Sequence, residues 1–210
     1  MRPEALFLPR NPSQWEVRRS YPSSTILFLV GPAGTGKTHA ALGCALEDLF
    51  RERMKKLLFV RPLIPCGGES VGFLRGGLAQ KLEPWLASAA DVLPNLTHAK
   101  LTALVSTGKI EQTSLGFMRG RTVGDRTVCV LDEAQNLNMV QMRMFLSRIG
   151  DGGKIIITGD PEQSDLSREI LSPTVSVLEG LPGVGVVRFD ASQTVRHPLI
   201  PEILTRLRGH

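Results

Sequence analysis

The chain has 210 residues, is 42% hydrophobic and 21% charged, and carries a formal net charge of +5. Such a length suits one α/β domain with a substantial core and an insertion, and no apolar run approaches the roughly 20 residues that a membrane span needs, which excludes a membrane partner. The basic balance permits a nucleic-acid partner without requiring one, whereas an aromatic content of 5% argues against a stacking platform for single strands. Met1-Arg2-Pro3-Glu4-Ala5-Leu6-Phe7 has no basic region followed by a long apolar stretch, and Cys44, Cys66 and Cys129 are too widely spaced for a zinc cluster. A cytoplasmic protein with reduced thiols is the expectation.

In chain order, residues 1–24 are rich in Pro, Arg and Ser and are expected to form an irregular arm. Residues 25–30 read as a buried strand and residues 39–50 as a helix, with the Gly31–Thr38 loop between them. Residues 57–61 form a second strand. Gly and Pro are frequent over 63–77, which reads as a loop. Helices are expected over 81–90 and 97–106, and a short extended piece over 109–112. Strands follow at 127–131, 154–158 and 184–189. Met139, Met142, Phe145, Leu146 and Ile149 recur at helical spacing over 138–149, a core-facing stripe. An amphipathic helix over 199–208 closes the chain. This alternation predicts an α/β fold with a mostly parallel sheet covered by helices on both faces. Residues 63–120 are too long for a simple crossover and are expected to form an inserted helical lobe of the domain spanning 25–210.

Gly31-Pro32-Ala33-Gly34-Thr35-Gly36-Lys37-Thr38 fits G-x-x-x-x-G-K-[ST], between a strand and a helix as the chemistry demands. Glycines let the backbone turn its N–H groups toward phosphate, and the helix N-terminus adds partial positive charge. Lys37 is expected on the β- and γ-phosphates of ATP and the Thr38 hydroxyl on Mg²⁺. Val128-Cys129-Val130-Leu131-Asp132-Glu133 is an apolar strand that delivers two acids at its carboxyl end. Asp132 is placed to serve the metal and Glu133 to orient or deprotonate the attacking water. Gln163, after the strand 154–158, is placed to reach the γ-phosphate. Arg196, before the last helix, and Arg119 and Arg121 are candidates for stabilising transition-state charge, with nucleic-acid contacts or plain solvation as alternatives.

Taken together these residues resemble the PhoH-like family of ATPases, compact relatives of the superfamily 1 helicase core. The resemblance rests on the Gly31–Thr38 loop, Val60-Arg61-Pro62, Gly72-Phe73-Leu74, Phe117-Met118-Arg119-Gly120-Arg121-Thr122, Leu131-Asp132-Glu133-Ala134-Gln135-Asn136, residues 142–150, Gly159-Asp160 with Gln163 and Asp165-Leu166, and Val195-Arg196-His197. It implies a RecA-like P-loop fold and Mg²⁺-dependent ATP hydrolysis coupled to RNA or single-stranded DNA. It also implies an adenine contact from Gln14 and a place for His39 beside the nucleotide. Superfamily 1 helicases bind nucleotide between two such domains, and this chain has room for one. A ring or other head-to-tail oligomer, a hexamer by analogy, is therefore expected to supply the trans arginine from Arg119, Arg121 or Arg196. A nucleotide-dependent protein-binding switch and an ATPase-associated nuclease are the competing readings.

Overall fold

Apolar runs of five or six residues, flanked by turns and buried on both sides, are what a parallel sheet requires. The computed structural model describes residues 7–62, 98–166, 168–193 and 206. Within them β1 (Ile26–Val30), β2 (Lys56–Arg61), β3 (Ile110–Ser114), β4 (Thr127–Leu131), β5 (Lys154–Gly159) and β6 (Val184–Arg188) form one six-stranded sheet. The order is β3-β2-β4-β5-β1-β6, and every pairing is parallel. The helices are α1 (Pro12–Ser20), α2 (Lys37–Phe50), α3 (His98–Ser106), α4 (Met139–Leu146) and α5 (Leu171–Leu178).

Alternation along the strands divides the core in two. Leu27, Leu29, Leu57, Phe59, Val128, Val130 and Ile156 pack with Val17 of α1, Leu42 and Leu46 of α2 and Leu101 of α3. Their strand neighbours Phe28, Leu58, Val60, Cys129, Leu131, Ile155 and Ile157 pack on the other face with Met142 and Phe145 of α4 and Leu171 and Val175 of α5. The doubly covered α/β sheet read from the sequence is thus present. The methionine and phenylalanine stripe of α4 packs into the second core. Cys44 and Cys129 are buried free thiols, and burial pushes Cys44 up to about 12. Among the described residues no helix is long and apolar enough to cross a membrane.

Four local expectations change. The arm is not irregular: Asn11 caps α1 by accepting from the Gln14 N–H, and Pro12 sits in the first turn, where its missing N–H costs nothing. The extended piece over 109–112 is β3, the edge strand of the main sheet, rather than part of a lobe. The helix over 138–149 is shorter. Asn138 and Gln141 form a capping box at its start, and Ile149 leaves it to bridge Val123. Helix α5 has no counterpart among the sequence expectations, because Pro173 near its start reads as a breaker. The loop over 63–77, the helix over 81–90 and Cys66 lie outside the described residues, as does the helix over 199–208 apart from Arg206.

The arm belongs to the same core as the sheet. Phe7 is fully buried and lies against Gly43, where a Cβ would come within 2.3 Å of its ring. Its carbonyl accepts from Arg18, whose guanidinium also pairs with Glu47 at 3.1 Å. Tyr21 donates to Asp48 at 2.8 Å. At the far edge, Glu111 of β3 takes Arg121 at 2.5 and 2.9 Å and Lys56 at 2.7 Å. The Arg121 guanidinium, with Lys56 behind it, holds the Glu111 carboxyl down to about 2, against partial desolvation.

Phe7→Ala is expected to lower the unfolding free energy by about 3–5 kcal/mol, measured by urea titration, since the ring leaves a cavity rather than a solvated surface. Because the Glu111 carboxyl is depressed in the folded protein, its contribution is present above the ordinary carboxylate range and disappears as pH falls toward about 2. The urea midpoint of the wild type should therefore drop more steeply below pH 5 than that of Glu111→Gln.

Candidate functional site

Parallel strands bring all their carboxyl ends to one edge of the sheet, and the strand order decides which residues meet there. Val60 is in register with Leu131, and Leu131 with Ile157. The next residues along are Arg61, Asp132 and Thr158. By alternation all three point toward the face that α2 covers, and they converge. Asp132 is 2% exposed. Its Oδ1 accepts from Thr38 Oγ1 at 2.8 Å and from Thr158 Oγ1 at 2.5 Å. Its Oδ2 accepts from Arg61 Nε at 3.0 Å and Nη2 at 2.6 Å. Both oxygens of this buried carboxylate are thus satisfied by charge-assisted bonds.

The Gly31–Thr38 loop joins β1 to α2. Gly31 has φ +148, and a Cβ there would come within 2.3 Å of the Phe189 carbonyl, so the close approach of β6's end excludes any side chain. Gly36 has φ +88, and a Cβ would meet Gln14 Nε2 at 2.2 Å. Gln14 itself is buried, its Oε1 accepting from the Arg10 N–H at 2.8 Å. Asn11 Nδ2 donates to the Thr35 carbonyl at 3.1 Å. The arm is therefore seated directly on the loop. Thr35 donates to the Pro32 carbonyl, and Lys37 Nζ curls back to the carbonyls of Gly31 at 2.6 Å and Pro32 at 2.7 Å. The ammonium belongs to a residue only 8% exposed and lies inside the concavity that the loop forms.

Glu133 follows Asp132 with φ 60 and ψ 41, a left-handed conformation that non-glycine residues rarely adopt and that clusters at active sites. It is exposed, and its Oε2 accepts from Gln135 Nε2 at 2.6 Å. Gln135 is 1% exposed, and its Oε1 accepts from the Asp160 N–H at 3.1 Å. Asp160 Oδ2 in turn accepts from the Ala33 N–H at 2.8 Å, inside the Gly-rich loop. A continuous relay thus runs from Glu133 through Gln135 and Asp160 to Ala33. Gly159 leaves room for it, since a Cβ there would lie 3.0 Å from Gln135 Oε1.

Of the remaining expected residues, Gln163 lies in a 3-10 turn after β5 and is exposed. His39 stands edge-on to Phe7, with centroids 5.6 Å apart. Arg119 is exposed, follows the exposed Phe117, and makes no hydrogen bond or ion pair among the described residues. Arg121 is committed to Glu111. Arg196 lies outside the described residues. Sequence reasoning gives no role to Arg61, Gln135, Thr158 or Asp160. Thr158, a polar residue ending the run Ile155-Ile156-Ile157, is a readable signal. The others depend on β5 lying between β4 and β1.

The donor set fits a magnesium nucleotide. A threonine hydroxyl beside one carboxylate is a hard oxygen pair, and magnesium usually takes one or two carboxylates, waters and phosphate oxygens rather than a protein cage. Among the described residues no group of three His, Cys, Asp or Glu side chains could hold a metal by itself, so an ion at this edge depends on phosphate oxygens and water.

Comparison with known proteins agrees with this geometry. The PhoH-like protein of Bacillus subtilis is 42% identical over 183 residues, covering 85% of this chain and 57% of that protein. Protein PhoH of Escherichia coli K12 is 34% identical over 203 residues, covering 94% and 57%. The chain thus spans a little over half the length of these relatives. Among solved structures, the large terminase of a bacteriophage that infects a thermophilic bacterium superposes with a TM-score of 0.53 at 10% identity, covering 95% of this chain and 50% of that one. The Sulfolobus solfataricus SWI2/SNF2 ATPase core, solved with double-stranded DNA, gives 0.50 at 18% identity, covering 87% and 38%. At these identities the two share the fold. A family model for PhoH-like proteins matches residues 7–207, a span that begins at the buried Phe7 of the arm, and the chain belongs to the PhoH-like family.

Proposed function

We propose that this chain binds ATP with magnesium and hydrolyses it, and that turnover is coupled to RNA or single-stranded DNA. The observation that carries the reading is one edge of the sheet. There the Gly31–Thr38 loop, the Thr38–Asp132 pair and the strained Glu133 stand together.

Lys37 would exchange the Gly31 and Pro32 carbonyls for the β- and γ-phosphates, while the loop N–H groups and the start of α2 hold the rest of the phosphate chain. Thr38 would offer its oxygen to the ion while its hydroxyl proton stays directed at Asp132. Magnesium, when bound, neutralises phosphate charge and bridges phosphate oxygens. Glu133 orients the attacking water and accepts its proton, and Gln135 sets the angle of that carboxylate. Gln163 reports on the γ-phosphate. Gln14, pressed on Gly36, faces the adenine end from the arm, with His39 behind the loop. We therefore place the arm and residues 25–210 in a single nucleotide unit, working in the cytoplasm.

A RecA-like domain of this kind needs an arginine from outside to complete the γ-phosphate shell. We propose a head-to-tail ring, a hexamer by analogy, in which Arg119 is the leading trans candidate: it is exposed beyond the end of β3, whereas Arg121 is bound in its own chain. Arg196 stays a candidate on the resemblance alone. The net charge of +5 suits a nucleic-acid partner.

ATP hydrolysis with Mg²⁺, with and without single-stranded RNA and DNA, tests the reading. Wild-type turnover should rise with nucleic acid and lose the effect as salt is raised. Glu133→Gln should cut turnover at least about 100-fold while nucleotide binding persists. Gln135→Ala should lower kcat by about tenfold or more, with the nucleotide Kd within about twofold of wild type. Turnover without stimulation would favour the protein-binding switch. By sedimentation with a non-hydrolysable ATP analogue and Mg²⁺ the protein should run as an oligomer. A fully active monomer, unaffected by Arg119→Ala, would overturn the ring.

A further inference from the structure

A buried carboxylate needs positive charge close by, and Asp132 gets it from Arg61. Thr38 and Thr158 are neutral donors, and both act on Oδ1. Oδ2 is taken wholly by the Arg61 fork, through Nε and Nη2. The two partners differ in how firmly they are held. The Asp132 side chain is 3% exposed, whereas that of Arg61 is 43% exposed. Arg61 ends β2 just before Pro62, and its guanidinium carbon stands 5.2 Å from the centre of the Phe59 ring, an aromatic face that accepts a cation. The guanidinium is thus the movable member of the pair. Asp132 is also the carboxylate that, on the reading above, serves the magnesium ion with Thr38. A guanidinium and a divalent cation repel one another strongly at such range in a poorly solvated site.

We propose that Arg61 is a positioning residue for the metal site: it neutralises Asp132 while the site holds no cation, and it competes with magnesium for that carboxylate when nucleotide binds. The proposal rests on the magnesium-nucleotide reading and adds a regulator to it. In the cation-free protein Arg61 keeps Asp132 charged, oriented and stable. The same contact sets the strength with which magnesium favours nucleotide binding. Competition for one group is reciprocal, so deleting Arg61 must raise the advantage that magnesium confers. A purely structural arginine would weaken binding equally with and without the metal.

The test uses a fluorescent ADP analogue, which cannot be hydrolysed further at the γ-position, titrated into the full chain in EDTA and in saturating Mg²⁺. The quantity read is the Kd in EDTA divided by the Kd in Mg²⁺. In Arg61→Gln the ratio should rise about tenfold over wild type, and in Arg61→Lys it should fall between the two. A ratio in Arg61→Gln equal to or below that of wild type overturns the proposal. If Arg61→Gln does not fold by circular dichroism, Arg61→Lys is read alone, and a ratio no higher than wild type overturns it. A second readout is heat stability. Arg61→Gln should melt below wild type without nucleotide, and the deficit should shrink with Mg²⁺ and ADP; equal deficits in both states overturn the proposal. Should wild type itself bind the analogue no better with Mg²⁺ than in EDTA, the magnesium reading fails and the competition falls with it.

Discussion

Asp132 lies almost wholly below the surface, and an ion in that position is tolerated only where every lone pair has a donor. Two strands flanking β4 and the first turn of α2 meet that demand: Arg61 closes β2, Thr158 lies in β5, and Thr38 begins the helix after the Gly-rich loop. None of these donors is near another in sequence. The sheet must have this order and this register for them to arrive together, so the carboxylate acts as a check on correct assembly as well as a chemical group. A one-residue slip between β4 and either neighbour would send the polar row to the opposite face and put Leu131 or Val60 in its place.

The same edge is tied together a second time, through backbone groups. The relay from Glu133 to Ala33 passes through a buried amide and a buried carboxylate, and each member is anchored on a different loop. The arm adds a third tie, with Asn11 on Thr35 and Gln14 on Gly36. The Gly-rich loop, which glycine would otherwise leave free, is thus fixed on three sides: by β6 at Gly31, by Asp160 at Ala33, and by the arm at Thr35 and Gly36. Such pre-positioning lowers the ordering cost of closing around phosphate.

Most of the chemistry is legible in the sequence, because the loop and the Asp132-Glu133 pair are local patterns whose meaning does not depend on what lies beside them. The strands are legible for the same reason: runs such as Ile155-Ile156-Ile157 have few other uses. What cannot be read are the convergences. Arg61 sits in a recognised triplet, yet its partner lies 71 positions away, and only the placement of β2 against β4 joins them. The arm differs from its sequence expectation although its signal is present. Asn11 followed by Pro12 is a helix start, but the surrounding Pro, Arg and Ser suggest a loop. Pro173 hides α5 in the same way, since a proline in a first turn looks identical in sequence to a proline that breaks a helix.

Glu133 carries a further implication. Its backbone occupies a conformation that glycine or asparagine would adopt more comfortably, so replacing the glutamate there would relieve the chain rather than harm its folding. Selection for robustness and selection for turnover therefore pull in opposite directions at this one residue. A library sorted for thermal resistance alone would drift toward well-folded proteins that have lost the group aimed at water.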